Sequence, residues 1–133
     1  MLENKNIFDK LKSLNCEIQV EALEESCFSL DDAFPEISEE DLKEISQRLQ
    51  RGDVWAFCTV VVYVNSPNGF FGRQSLGCCS YENGKDFIEN SGSYKDMVEE
   101  AFEDLLVNLR IRAETAANML KATENELALL SQS

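Results

Sequence analysis

Val54 to Val64 reads VWAFCTVVVYV, an uncharged run of β-branched, aromatic and small apolar side chains. Such a run suits a buried strand better than a helix, because β-branched side chains lose rotamer freedom against a helical turn. It predicts the central strand of a sheet, with Trp55, Phe57 and the alternating positions packed into the core. Immediately after it, Asn65 to Gly69 (NSPNG) is dense turn chemistry, and residues 73–81 provide a return strand, so the pair reads as a hairpin. Gly72 and Gly77 within that return mark bulges or close backbone approach. Upstream, residues 17–23 alternate as EIQVEAL, with Ile18, Val20 and Ala22 on one face and the polar side chains on the other. That pattern predicts a half-buried edge strand.

Helices surround this block. Ser38 begins one over 39–51, with Asp41 three residues on in a capping-box-like arrangement and Glu39, Glu40 and Asp41 at the positive end of the dipole. Leu42, Ile45 and Leu49 form its apolar stripe, and Gly52 stops it. Residues 4–14, with Ile7, Phe8, Leu11 and Leu14, read as a shorter amphipathic helix. The expected fold class is α+β: an antiparallel sheet of about three strands (17–23, 54–64, 73–81) covered by helices 39–51 and 94–110. Residues 1–110 form the acidic domain, and 111–133 a helical extension continuous with its last helix.

Charge sharpens the picture. The 133 residues carry 25 Asp and Glu against 12 Lys and Arg, a net charge of −13 with no histidine. Direct binding to nucleic acid or to an anionic membrane is therefore disfavoured, and a basic partner is favoured. The five cysteines (Cys16, Cys27, Cys58, Cys78, Cys79) lack CxxC spacing and histidine company, so neither a disulfide framework nor a zinc site is expected. With no signal-like leader and no apolar span, the expected location is a reducing cytoplasm.

The acids fall in two runs. The first holds Asp31, Asp32, Glu36, Glu39, Glu40, Asp41 and Glu44, interrupted by Phe34 and Ile37. The second, Asp96, Glu99, Glu100, Glu103 and Asp104, lines the start of the C-terminal helix, opposite Val98, Phe102, Leu105 and Leu109. Carboxylates spaced along a surface with apolar anchors between them can occupy a groove built for phosphates. A solvated, solubilising surface is the plain alternative for both runs. Catalysis, a cofactor or a metal is not expected, because acid–base chemistry near neutral pH would have to run without histidine.

From Tyr94 to Ser133 there is neither glycine nor proline. Phe102, Leu106, Leu109, Ala113, Ala116, Leu120, Thr123, Leu127 and Leu130 follow one another at spacings of 4 and 3, the seam of a coiled coil. A continuous helix over 94–130 would outrun the domain and leave Leu109, Ala113, Ala116, Leu120, Leu127 and Leu130 to pair, as a homodimer. A break near Arg110–Arg112, with the chain folding back on itself, is the competing geometry.

The stretches RGDVWAFCTVVV, FFG with SLGCCSY, DFI and SYKDMVEEAFEDL resemble a family of small acidic proteins encoded by phages and mobile elements. Gly52 to Ala56, Leu76-Gly77-Cys78, Ser80-Tyr81, Asp86-Phe87, Tyr94 and Asp96-Met97 carry the resemblance, over roughly residues 17–109. The resemblance implies an origin and no activity, and it favours inhibitors of host defence such as anti-CRISPR and anti-restriction proteins. The expected function is thus an inhibitory binder whose carboxylates mimic nucleic-acid phosphates against a basic host protein. The alternative is an adaptor assembled through its C-terminal helix.

Overall fold

In the computed structural model, which describes residues 6–132, the apolar run is two elements and not one. Val54–Ala56 closes a 3-10 turn, and the central strand β2 runs Cys58–Asn65. The turn forms because the chain is tied down before it can pair: Asp53 N–H donates to the Arg48 carbonyl at 2.9 Å, and Phe57 N–H to that of Val54 at 3.2 Å. Trp55 is consequently half-buried beside Phe87, while Phe57 is buried against Phe34.

The sheet is antiparallel in the order β1-β2-β3, with β1 Glu17–Glu24 and β3 Phe71–Cys79. The fold class is α+β. In β2, Cys58, Val60, Val62 and Val64 are fully buried on one face. Ile18, Val20 and Ala22 of β1 flank them on that face, as alternation predicts, and Leu11, Phe87, Met97, Val98, Ala101 and Leu105 close the core over them. On the other face Glu17, Gln19 and Glu21 of β1 and Phe71, Arg73 and Ser75 of β3 are exposed.

Five helices complete the described residues: α1 Ile7–Ser13, α2 Leu30–Ala33, α3 Glu39–Gln50, α4 Gly84–Asn90 and α5 Tyr94–Leu130. Residues 4 and 5 of the expected first helix lie outside the described residues. The pairing Ser38–Asp41 caps α3 as read, the serine oxygen accepting from Asp41 N–H at 3.1 Å, and Gly52 ends it at φ +86°. One expectation needs correction: α3 does not cover the sheet but packs chiefly on the 3-10 turn. Its one buried side chain is Arg48, not a member of the Leu42, Ile45, Leu49 stripe. An unbroken α5 replaces the fold-back geometry, since there is no interruption at Arg110–Arg112. At ~1.5 Å per residue it spans roughly 55 Å.

The stripe of α5 that meets the sheet is also displaced from the seam. Met97, Val98, Ala101 and Leu105 are the buried positions, with Phe102 and Leu109 at the border. β3 approaches so closely here that a Cβ on Gly72 would lie 2.2 Å from the Ala101 carbonyl oxygen. Close approach, not a bulge, is thus the role of Gly72. The irregularity falls between the pairs Cys58–Cys79 and Val60–Leu76, around Gly77 and Cys78, where Cys78 takes φ 55°.

Candidate functional site: an acidic groove

Two short capped helices build one wall. Ser29 accepts from Asp32 N–H at 3.3 Å and starts α2, and the chain then turns through Phe34, Pro35 and Ile37 into the Ser38 cap of α3. Phe34 anchors this turn edge-on to Phe57, with ring centroids 5.9 Å apart. Ser80 and Glu82, between β3 and α4, form the opposite wall.

Arg48 holds the two walls together. Its Nε donates to Asp53 Oδ2 at 2.8 Å, and its Nη2 donates to the carbonyl oxygens of Tyr81 at 2.6 Å and Glu82 at 3.3 Å. Charge-assisted bonds of this kind are short and directional, so a largely buried guanidinium fixes α3 against the strand end. The Glu82 N–H in turn donates to Asp86 Oδ2 at 3.0 Å. That bond, more than the Asn90 amide or the Arg48 charge, holds the Asp86 carboxyl below its ordinary range.

Between the walls lies an open groove of about 630 Å³. Phe34, Pro35, Ile37 and Ile45 provide its apolar surface, and Glu36, Asp41, Glu44 and Glu82 provide the carboxylates. Of the first acidic run, then, Glu36, Asp41 and Glu44 line the groove, whereas Asp31, Asp32, Glu39 and Glu40 are exposed outside it. Asp32 is engaged locally, accepting from the Ser29 hydroxyl at 2.9 Å. Glu82 was not singled out from sequence. Asn83 three residues before Asp86, a cap whose Oδ1 accepts from Asp86 N–H at 2.9 Å, is the signal that would have placed α4 and the residue before it.

The second run occupies a different place. Asp104 Oδ2 accepts from Arg73 N–H at 2.9 Å, Gln74 Nε2 donates to Glu100, and Asn108 Nδ2 donates to the Phe71 carbonyl at 3.2 Å. This row on α5 covers the free edge of β3, an edge that would otherwise offer unpaired backbone groups to another strand. Asp96, Glu99 and Glu103 stay exposed. No hydrogen bond joins the two acidic runs among the described residues.

Across the described residues the one ion pair is Arg48–Asp53, so the negative charge is almost wholly uncompensated by close pairing. No three His, Cys, Asp or Glu side chains among them converge as metal ligands would. The thiols of Cys58 and Cys79 face one another across the β2–β3 pair inside the core, and burial pushes that of Cys58 up to about 12, which leaves it protonated and inert. No helix among the described residues is long and apolar enough to cross a membrane. No family model, curated protein or solved structure matches this chain.

Proposed function

We propose that this chain is an inhibitory binding protein of the kind phages and mobile elements encode, acting without catalysis. It occupies a basic, nucleic-acid-binding host protein, such as a CRISPR or restriction component, with carboxylates standing in for phosphates. The observation that carries this reading is the groove: four carboxylates around an apolar surface, in a chain of net charge −13 with a single close ion pair among the described residues. Acids alone would serve solubility. Acids set around Phe34, Ile37 and Ile45 match a surface that is both cationic and apolar, as in grooves that bind single strands with basic and aromatic side chains. On this reading the groove run leads, and the acids of α5 contribute long-range field.

The test is affinity capture from host lysate followed by competition. The captured protein is expected to be basic, and its nucleic-acid binding should fall stoichiometrically as this chain is added. The triple change Glu36→Gln, Asp41→Asn and Glu44→Gln should slow association at least about tenfold at low salt and flatten its salt dependence. A captured partner that binds nucleic acid equally well with the chain present would end the reading.

A second reading is favoured by a separate observation. Every described residue from 110 onward is exposed, including Ile111, Met119, Leu120, Leu127 and Leu129. An isolated helix end of this length is marginal in water, and apolar side chains at seam spacing gain by pairing. The chain on this reading is an adaptor that assembles through α5. The two readings are compatible, since the groove and the projecting helix involve different residues.

A further inference from the structure

We propose that the projecting part of α5 pairs antiparallel with the same segment of a second copy of this chain, in the register that sets Leu120 against Ala116 of the partner subunit. This rests on the assembly reading above and adds to it an orientation, a register and the residues that select them.

The seam is not the stripe that packs on the domain. Sheet-facing positions on α5 are Val98, Ala101 and Leu105, and the seam positions Leu106, Ala113, Leu120 and Leu127 lie about a quarter turn around the helix from them. The seam's second row is Leu109, Ala116 and Thr123. Leu109, half-buried at the border of the core, is the first position of that row that a partner reaches, and from residue 113 onward every described seam side chain is exposed.

In a parallel pair each seam residue meets its own copy. Ala113, Ala116 and Thr123 would then form three thin layers. The flanking positions would set Arg112 against Ala117, Met119 against Glu124 and Glu126 against Ser131 of the partner subunit, with no opposite charges facing. The antiparallel pair centred near residue 118 leaves two thin layers, each of Ala113 against Thr123 of the partner subunit, in place of three, and it changes the flanks. Leu120 fills the space over the partner's Ala116, and Leu127 meets the partner's Leu109. On one flank Arg110 faces Glu124 of the partner subunit, and on the other Arg112 faces the partner's Glu126. Two-fold symmetry doubles each contact to four ion pairs.

A slip of one heptad removes them all. In one direction Arg110 meets the partner's Ala117 while Glu103 meets the partner's Glu124, and in the other Arg110 meets Ser131 of the partner subunit. Within one chain neither arginine makes an ion pair among the described residues. Arg110 is exposed, and Arg112, in line with Leu105 on the helix, rests over the Phe70 ring at 5.1 Å and is otherwise exposed. The segment from 110 to 130 is about 30 Å long, so the antiparallel pair holds its two domains at opposite ends.

The test uses the full chain and light scattering at micromolar concentration, with circular dichroism to check that each variant stays folded. Wild type is expected to be a dimer. Arg110→Glu with Arg112→Glu turns four attractions into four repulsions and should raise the dimer Kd by about tenfold or more. Adding Glu124→Lys and Glu126→Lys restores the pairs with reversed sign and should restore the dimer. A monomeric wild type would overturn the assembly reading and this proposal together. A dimer that withstands the first double change, or one that the fourfold exchange does not rescue, would leave assembly standing and overturn the antiparallel register.

Discussion

Glu25 shows how much one side chain can hold in this fold. Its Oε1 accepts from Cys78 N–H at 2.7 Å and from the Thr59 hydroxyl at 3.1 Å, and its Oε2 accepts from Cys27 N–H at 3.0 Å. The Cys78 amide is the one turned inward by the irregularity in β3, where a non-glycine residue sits in left-handed backbone. Hydrogen bonds to the ionised form, that from Cys78 foremost, hold the Glu25 carboxyl below its ordinary value. A group depressed on folding stabilises the fold above its unfolded pKa, and the contribution fades as pH falls through the folded value. Glu25→Gln should therefore melt several degrees below wild type at neutral pH, with the gap closing as the pH is taken below the carboxylate range. A gap that is constant with pH would show that the carboxylate charge is not what holds the bulge.

At the scale of elements, the contact between β3 and α5 decides the architecture. It is made close by the missing side chain at Gly72, which faces the Ala101 carbonyl oxygen and the Leu105 amide at a distance no Cβ can occupy. Both opposing groups are helix backbone, so they cannot swing aside as a side chain would. Gly72→Ala should push α5 off the strand, loosen the Asp104–Arg73 and Asn108–Phe71 hydrogen bonds, and cost about 3 kcal/mol. Denaturant midpoints would measure this, and a shift under about 0.5 kcal/mol would mean that the helix can ride outward freely. Arg48 plays the corresponding part for α3, replacing an apolar stripe with three directed hydrogen bonds.

For the whole molecule the governing quantity is net charge. With −13 and one close ion pair among the described residues, folding gathers like charges that the unfolded chain keeps apart. Raising ionic strength from about 10 mM to about 150 mM shortens the Debye length from roughly 30 Å to about 8 Å, so the self-repulsion is screened. The melting temperature should rise with sodium chloride over that range, and association of two such chains should strengthen despite weaker flanking ion pairs. A melting temperature that falls with salt would show that attraction within the fold outweighs the repulsion.

Sequence alone determined the features that depend on local pattern. The period-2 alternation of residues 17–23 assigned Ile18, Val20 and Ala22 to the core side, and the β-branched run marked β2 because few other elements accommodate so many such side chains. Ser38 and Gly52 bounded α3, and the absence of glycine and proline after Tyr94 allowed one long helix. Tertiary structure alone decided what depends on distant partners. Val54–Ala56 became a turn because Arg48 and Tyr81 hold the backbone around it, a constraint that no periodicity in the run records. The stripe of α5 that packs on the sheet was set by where Gly72 lets β3 approach, which moved the buried face from Leu106 to Ala101 and Leu105. The two acidic runs are similar in composition, and only packing separated them: Glu36, Asp41 and Glu44 of one line an open groove, while Glu100 and Asp104 of the other are engaged by a strand edge. Charge is a property of single residues and is legible in order, but the surface it forms depends on which elements meet.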